Sequence, residues 1–231
     1  MCPKQRLGEE VGCGGLASNN MRRLRENKID DMRAREIGQV ATLMFTLGHT
    51  PLPLVLSGDY ATASDHADEV VALADEKGAP LWKALGTMMQ GVLMGLTGEP
   101  AGAVQRIANG IRAYRAVGST IWIPFHLCHL AKAHAELGQL DDAWHCITEA
   151  MSAVEKTKET WSEAEVHRVA GELVLKQPRP DVAEAQACFE RALAIARVVA
   201  RQETAVNVRR RPRTAWSQHD VQFDAYAEAG R

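Results

Sequence analysis

Aromatic residues are scarce in this chain, at 5% of 231 positions, and runs of β-branched residues are few. A β-sandwich or barrel draws its core from both, so this shortage argues against either. No charge of one sign dominates. Lys and Arg number 27 against 29 Asp and Glu, a formal net charge of −2, which gives no general attraction to nucleic acid or to anionic membrane. No unbroken run of 18 apolar residues occurs, and on that ground a membrane span is not expected. Met1-Cys2-Pro3-Lys4-Gln5-Arg6 leads into no apolar stretch, so the sequence reads as lacking a secretory signal and as cytoplasmic. Cys2, Cys13, Cys128, Cys146 and Cys188 are odd in number and include no C-x-x-C pair; they read as free thiols rather than disulfides or a zinc site. There is no G-x-x-x-x-G-K-[ST] loop to cradle phosphates, and no strand-like alternation carries metal-binding aspartates.

What the chain does have is alanine, the best helix former, within a 46% hydrophobic and 24% charged composition that is ordinary for a folded protein. It also has a repeat. Gly38, Gly78 and Gly118 are spaced by 40 residues, as are Gly58, Gly98 and Gly138, and the two series are offset by 20. Between successive glycines lie helix-compatible segments of roughly 16 to 18 residues, enough for four or five turns. Each glycine then marks a helix end, where positive φ closes the last turn. Side chains keep the same period: Ala63, Ala103 and Ala143 follow the turn glycines, and Ala67, Ile107 and Ile147 lie one turn later. Trp82 and Trp122 are also 40 apart. Small residues at one position let helix backbones approach, and larger ones fill the space beside them.

The expected fold is all-α: an α-α superhelix of about four antiparallel helix pairs over residues 20–200. A first helix spans about 20–37. The pairs are 39–57 with 60–77, 80–97 with 100–117, 120–137 with 140–157, and 161–176 with 181–200. Pro100 and Pro124 fall in first turns, where a missing N–H is harmless. Asp141 and Asp142 favour the positive end of their helix. Pro51 and Pro53 lie inside a proposed helix and should break it near His49. Residues 1–19, with Gly12, Gly14 and Gly15, fit no pattern and read as disordered. Residues 201–231, with the basic run Arg209 to Arg213, read as an irregular tail; that run lacks the aromatic interleaving of a nucleic-acid site.

Gly138-Gln139-Leu140-Asp141-Asp142-Ala143 and Ala185-x-x-x-Phe189-x-x-Ala192-Leu193 resemble the tetratricopeptide (TPR) signature of turn glycine, alanine, bulky residue and alanine, on a repeat longer than the usual ~34 residues. Ala34 to Gln39, Ala74 to Gly78, Trp82 to Gly86, Ala133 to Gly138 and Ser162 to Glu172 further resemble the C-terminal helical repeats of bacterial signalling proteins. Those proteins carry a class III adenylate/guanylate cyclase domain and a nucleotide-binding ATPase module ahead of the repeats. The resemblance covers about residues 31–200 and implies a regulatory or scaffolding segment. Cyclase and ATPase activity do not carry over, because their motifs are missing. The two ends depart from the pattern, which makes a truncated or frame-shifted remnant of a longer protein an expectation that the genomic flanks would test.

Candidate chemistry is thin. His126, Cys128 and His129 are of metal-ligating type, yet on a helix Cys128 points about 200° from His126 at 100° per residue. His134 takes the place where the resemblance implies a tyrosine. His145-Cys146 has a nucleophile beside a base but no orienting third group. No catalytic residue, metal or cofactor is expected. In TPR arrays the first helix of each pair lines the concave groove. Counted from the turn glycines, the groove would present Phe45, Leu52, Leu85, Met88, Val92, Phe125, Cys128, Lys132 and Arg168, with Glu165 beside them. A mostly apolar strip of this kind fits an apolar segment of a partner polypeptide. It lacks the lysine and asparagine cluster that clamps an acidic C-terminus. The expected function is therefore protein binding in the groove. The alternatives are a detached regulatory piece of a cyclase–ATPase protein, partnered by that protein, and a small-ligand sensor. The last helix, deprived of a following one, should leave a face for self-association.

Overall fold

Five glycines set the punctuation. Gly58, Gly78, Gly98, Gly118 and Gly138 have φ of 80°, 63°, 94°, 79° and 75°, a region that a Cβ penalises. After each one the next residue's N–H reaches back to the carbonyl five residues earlier: Asp59 to Leu54 (3.0 Å), Ala79 to Ala74 (2.8 Å), Glu99 to Met94 (2.8 Å), Ser119 to Tyr114 (3.2 Å) and Gln139 to His134 (2.9 Å). This bond closes a helix on a left-handed residue and satisfies one of its last carbonyls. The structure is a computed structural model that describes residues 40–158 and 160–210, the last eleven of these by backbone alone.

Those residues form α1 (Val40–His49), α2 (Pro51–Ser57), α3 (Tyr60–Glu76), α4 (Pro80–Leu96), α5 (Pro100–Ala116), α6 (Ile123–Glu136), α7 (Leu140–Thr157), α8 (Thr160–Leu175) and α9 (Val182–Arg210), and among them there is no strand. The all-α expectation holds. Pro51 opens α2 directly after the break at Thr50, as its ring requires. Pro80 and Pro100 open α4 and α5. Asp59 caps α3 by accepting the Thr62 N–H (3.1 Å), and Asp181 caps α9 by accepting those of Ala183 (2.9 Å) and Glu184 (3.0 Å). Two boundaries differ from the sequence reading. α6 begins at Ile123 because Trp122 has φ of 70°, and α9 runs to Arg210, past the expected stop at 200. The proposed helix 20–37, segment 1–19 and residues 211–231 lie outside the described residues.

Each helix packs on the next. α1, α4, α6 and α8 also touch one another in succession, so they form one layer, with α3, α5, α7 and α9 on its other side. The repeated small positions are the seam: Ala63, Ala103 and Ala143 are fully buried, with Ala67, Ile107 and Ile147 next to them in the same state. Gly110 of α5 lies so close to α4 that a Cβ there would sit 3.0 Å from the Met88 nitrogen and 3.2 Å from the Ala84 oxygen. Ion pairs add little by comparison. Arg115–Glu149, Lys83–Asp75 and Lys176–Glu136 are all well exposed, and such pairs contribute about 0–1 kcal/mol each, less than one buried leucine.

The stretch Val40–Ser57 is, by length and composition, apolar enough to cross a membrane. Threonines, Gly48 and His49 interrupt its apolar run, but it holds no charged residue, and its mean hydropathy of 1.3 reaches the range of spanning helices. A third of it is buried in the helical core, and the regular helix is interrupted at Thr50, whose backbone stays right-handed helical. By length and composition alone the signal is weak.

Candidate functional site: an aromatic row and its cleft

Trp82 lies in the first turn of α4, Trp161 in the first turn of α8, and Trp122 immediately before α6. The layer formed by these helices therefore carries a ring at each entry. Trp122 and Lys158 are the non-glycine residues with positive φ among those described. For a bulky side chain this costs about 1–2 kcal/mol, so the surroundings must hold it in place. Part of the hold is visible: the Trp122 carbonyl accepts both the His126 N–H (3.2 Å) and the His126 Nδ1–H (2.8 Å).

The rings form a connected row. Phe45 stacks on His49 (4.3 Å between centroids), and both meet Trp82 edge-on (6.0 and 5.6 Å). His49 meets Trp122 at 5.9 Å, Trp122 meets Trp161 at 4.9 Å, and Phe125 lies 5.9 Å from Trp161 and 4.7 Å from His129. The row thus crosses α1, α4, α6 and α8. Its two ends reach solvent: Phe45 is 56% exposed and Trp161 38%.

At the centre is a small cleft lined by Gly48, His49, Leu52, Leu85, Met89, Trp122, Phe125 and His126. The whole of it has room for about one water molecule. His126 is buried, at 1% exposure. Burial lowers its pKa to about 4, against the opposing pull of the Trp122 carbonyl, so the ring is neutral near pH 7. Because a carbonyl can only accept, Nδ1 carries the proton and Nε2 presents a lone pair. That Nε2 is buried and has no hydrogen-bond partner.

The nine groove residues expected from the sequence separate into two sets. Phe45 is exposed, and Leu52, Lys132 and Arg168 are half-buried. Leu85, Met88, Val92, Phe125 and Cys128 are buried at 0–5% exposure, which corrects the expectation of an apolar strip open to a partner. The physical reason is that α4 and α6 are enclosed by a neighbour on more than one side, so their apolar stripes face other helices. Beyond the row the surface turns polar. Arg168 donates two hydrogen bonds to Glu165 (both 2.7 Å) and one to Glu172, and these raise its already high pKa.

The other chemical candidates are placed as follows. Burial pushes the Cys128 thiol well up, and pushes Cys146 up to about 11, so neither is a ready thiolate. His145 is exposed while Cys146 is buried, on different sides of α7. Burial, then the charge of Lys132, lowers half-buried His129 to about 3. His134 Nδ1 pairs with Gln139 Oε1 at 2.7 Å, across the helix end. Among the described residues no three His, Cys, Asp or Glu side chains gather as a metal site.

Of the row, the sequence reading places Phe45 and Phe125 in the site; it reads Trp82 and Trp122 as a repeat without a role there, and assigns Trp161, His49 and His126 no place in it. Trp161 follows Trp122 by 39 residues rather than 40, a near-repeat that could have been read. The stacking of His49 on Phe45 depends on the break before Pro51, and the burial of His126 depends on tertiary packing. In comparisons with known proteins, no family model matches the chain, and no curated protein matches it.

Proposed function

We propose that this chain is a TPR-like helical-repeat module that binds a segment of a partner polypeptide along the aromatic row. The supporting observation is the row itself: rings from four helices in contact, open to solvent at Phe45 and Trp161. Aromatic side chains give large contact area at small entropic cost, and they are enriched where interfaces carry their energy. The partner segment is apolar, helical or extended, with register supplied by the polar end at Lys132, Glu165 and Arg168. The resemblance to the repeats of cyclase–ATPase signalling proteins makes a regulatory setting the natural one for such a module.

Substitution at the row tests this reading. The full chain is used as bait, and the affinity of whatever partner it captures is compared with that of Phe45→Glu and Trp161→Glu. Both positions are exposed enough to accept a charge without loss of fold. The proposal requires each to weaken binding about tenfold or more, as truncation of an aromatic anchor does, with helicity unchanged. Unchanged affinity in both variants contradicts it. Met88→Glu and Phe125→Glu are unsuitable probes, since both side chains are buried.

A further inference from the structure

We propose that the outward face of α3 is a docking surface for a second copy of this chain, which presents the outward face of the second half of α9. This contact is separate from the aromatic row and does not rest on the partner-polypeptide reading.

Both faces are built to one spacing. α3 buries Ala63, Ala67, Val70 and Ala74 against the core and turns Ala61, Asp65, Asp68, Ala72 and Asp75 to solvent. That is the i, i+4, i+7, i+11, i+14 stripe of one helix face. α9 buries Ala185 and Ala192 and turns Ala187, Arg191, Ala194 and Val198 outward, with Arg201 next in the same register. On each face small residues stand among the charged ones, so two helices can come close. The signs are opposite, aspartates on one face and arginines on the other.

The surroundings deepen the contrast. Residues 40–76 hold six carboxylates and neither lysine nor arginine, whereas 191–210 hold five arginines and one glutamate, in a chain of net charge −2. Lys83 pairs with Asp75 (2.5 Å) and Gln90 donates to Asp68 (2.6 Å), which leaves Asp65 and Asp68 without an ion pair among the described residues. α3 and α9 stand at opposite ends of one layer, with α5 and α7 between them, so their faces meet only between copies. α9 also outruns its neighbour. Its 29 residues against 16 in α8 carry it about 13 residues, or roughly 20 Å, past the start of α8. A helix that short is marginal in water on its own, so a covering surface is expected there. A second copy supplies one of matching spacing and opposite charge.

Sedimentation velocity of the full chain over a concentration series tests this, at about 50 mM and about 500 mM salt. The wild type is expected to associate at low salt and about tenfold more weakly at high salt. Asp65→Lys with Asp68→Lys, and separately Arg191→Glu with Arg201→Glu, should each weaken association about tenfold or more, because like charges then face each other. An equimolar mixture of the two variants should associate again, since each restores the other's complement, and that recovery also shows that both fold. A monomer throughout, or association that salt leaves unchanged, overturns the proposal. Loss with the α9 variant alone does so too, since it marks α9 pairing with itself or α3 covered by a segment of its own chain. A mixture that stays monomeric overturns it as well.

Discussion

At the scale of single residues, backbone sign and burial decide more than charge does. Lys158 ends α7 with φ of 60°, exposed, in the place where the repeat elsewhere uses glycine. Lys158→Gly is therefore expected to stabilise the protein, by about 0.5–1 kcal/mol, because relief of the left-handed strain outweighs the added freedom of the unfolded chain. Urea denaturation would show it as a raised midpoint with unchanged slope. His126 makes stability depend on pH. Its pKa is near 4 when folded and about 6.5 when unfolded. The depressed value means the unfolded state binds the proton first. Stability is full above pH 6.5, and up to about 3 kcal/mol is lost as the pH falls from there to about 4. His126→Phe should make that part of the profile shallower without flattening it, because half-buried His129, lowered to about 3, loses stability over the same range. A wild-type stability that stays constant from pH 7 to pH 4 would contradict the assignment. The place of Lys158 in the glycine series was legible in the sequence, whereas the burial of His126 and the φ of Trp122 arise from packing between helices far apart in the chain.

At the scale of elements, the ends of the helices were legible and their inner faces were not. The positive φ at five glycines, the break before Pro51 and the buried alanine seam all follow from local chemistry with a 40-residue period. The groove was misread at Leu85, Met88, Val92, Phe125 and Cys128, because an apolar stripe says that a face is covered without saying whether a partner or a sister helix covers it. Two substitutions separate the cases. Met88→Glu should unfold the protein or cost more than about 3 kcal/mol, since it places a charge in a sealed core. Phe45→Glu should change stability by less than about 1 kcal/mol. Thermal melts of both check the placement, and similar melting temperatures would contradict it. Asp181→Ala removes the cap of α9 and should cost about 1 kcal/mol.

At the scale of the molecule, the helices form two layers in which each pair leans on its neighbours, the arrangement in which stability is a sum of near-neighbour terms. α9 has α8 on one side, and Val182 and Val198 remain 68% and 52% exposed, so association between copies through that helix is expected at high concentration. Sedimentation velocity across a concentration series would detect it, and a sharp monomer throughout would rule it out.

The central claim is that the aromatic row is the binding face. Site-specific photocrosslinking tests it most directly, with a photoreactive phenylalanine analogue placed at Trp161 on the row or at Glu155, exposed on α7 of the other layer. The account predicts that one polypeptide is captured from position 161 and not from position 155. Capture from both positions alike, or from neither, would contradict it.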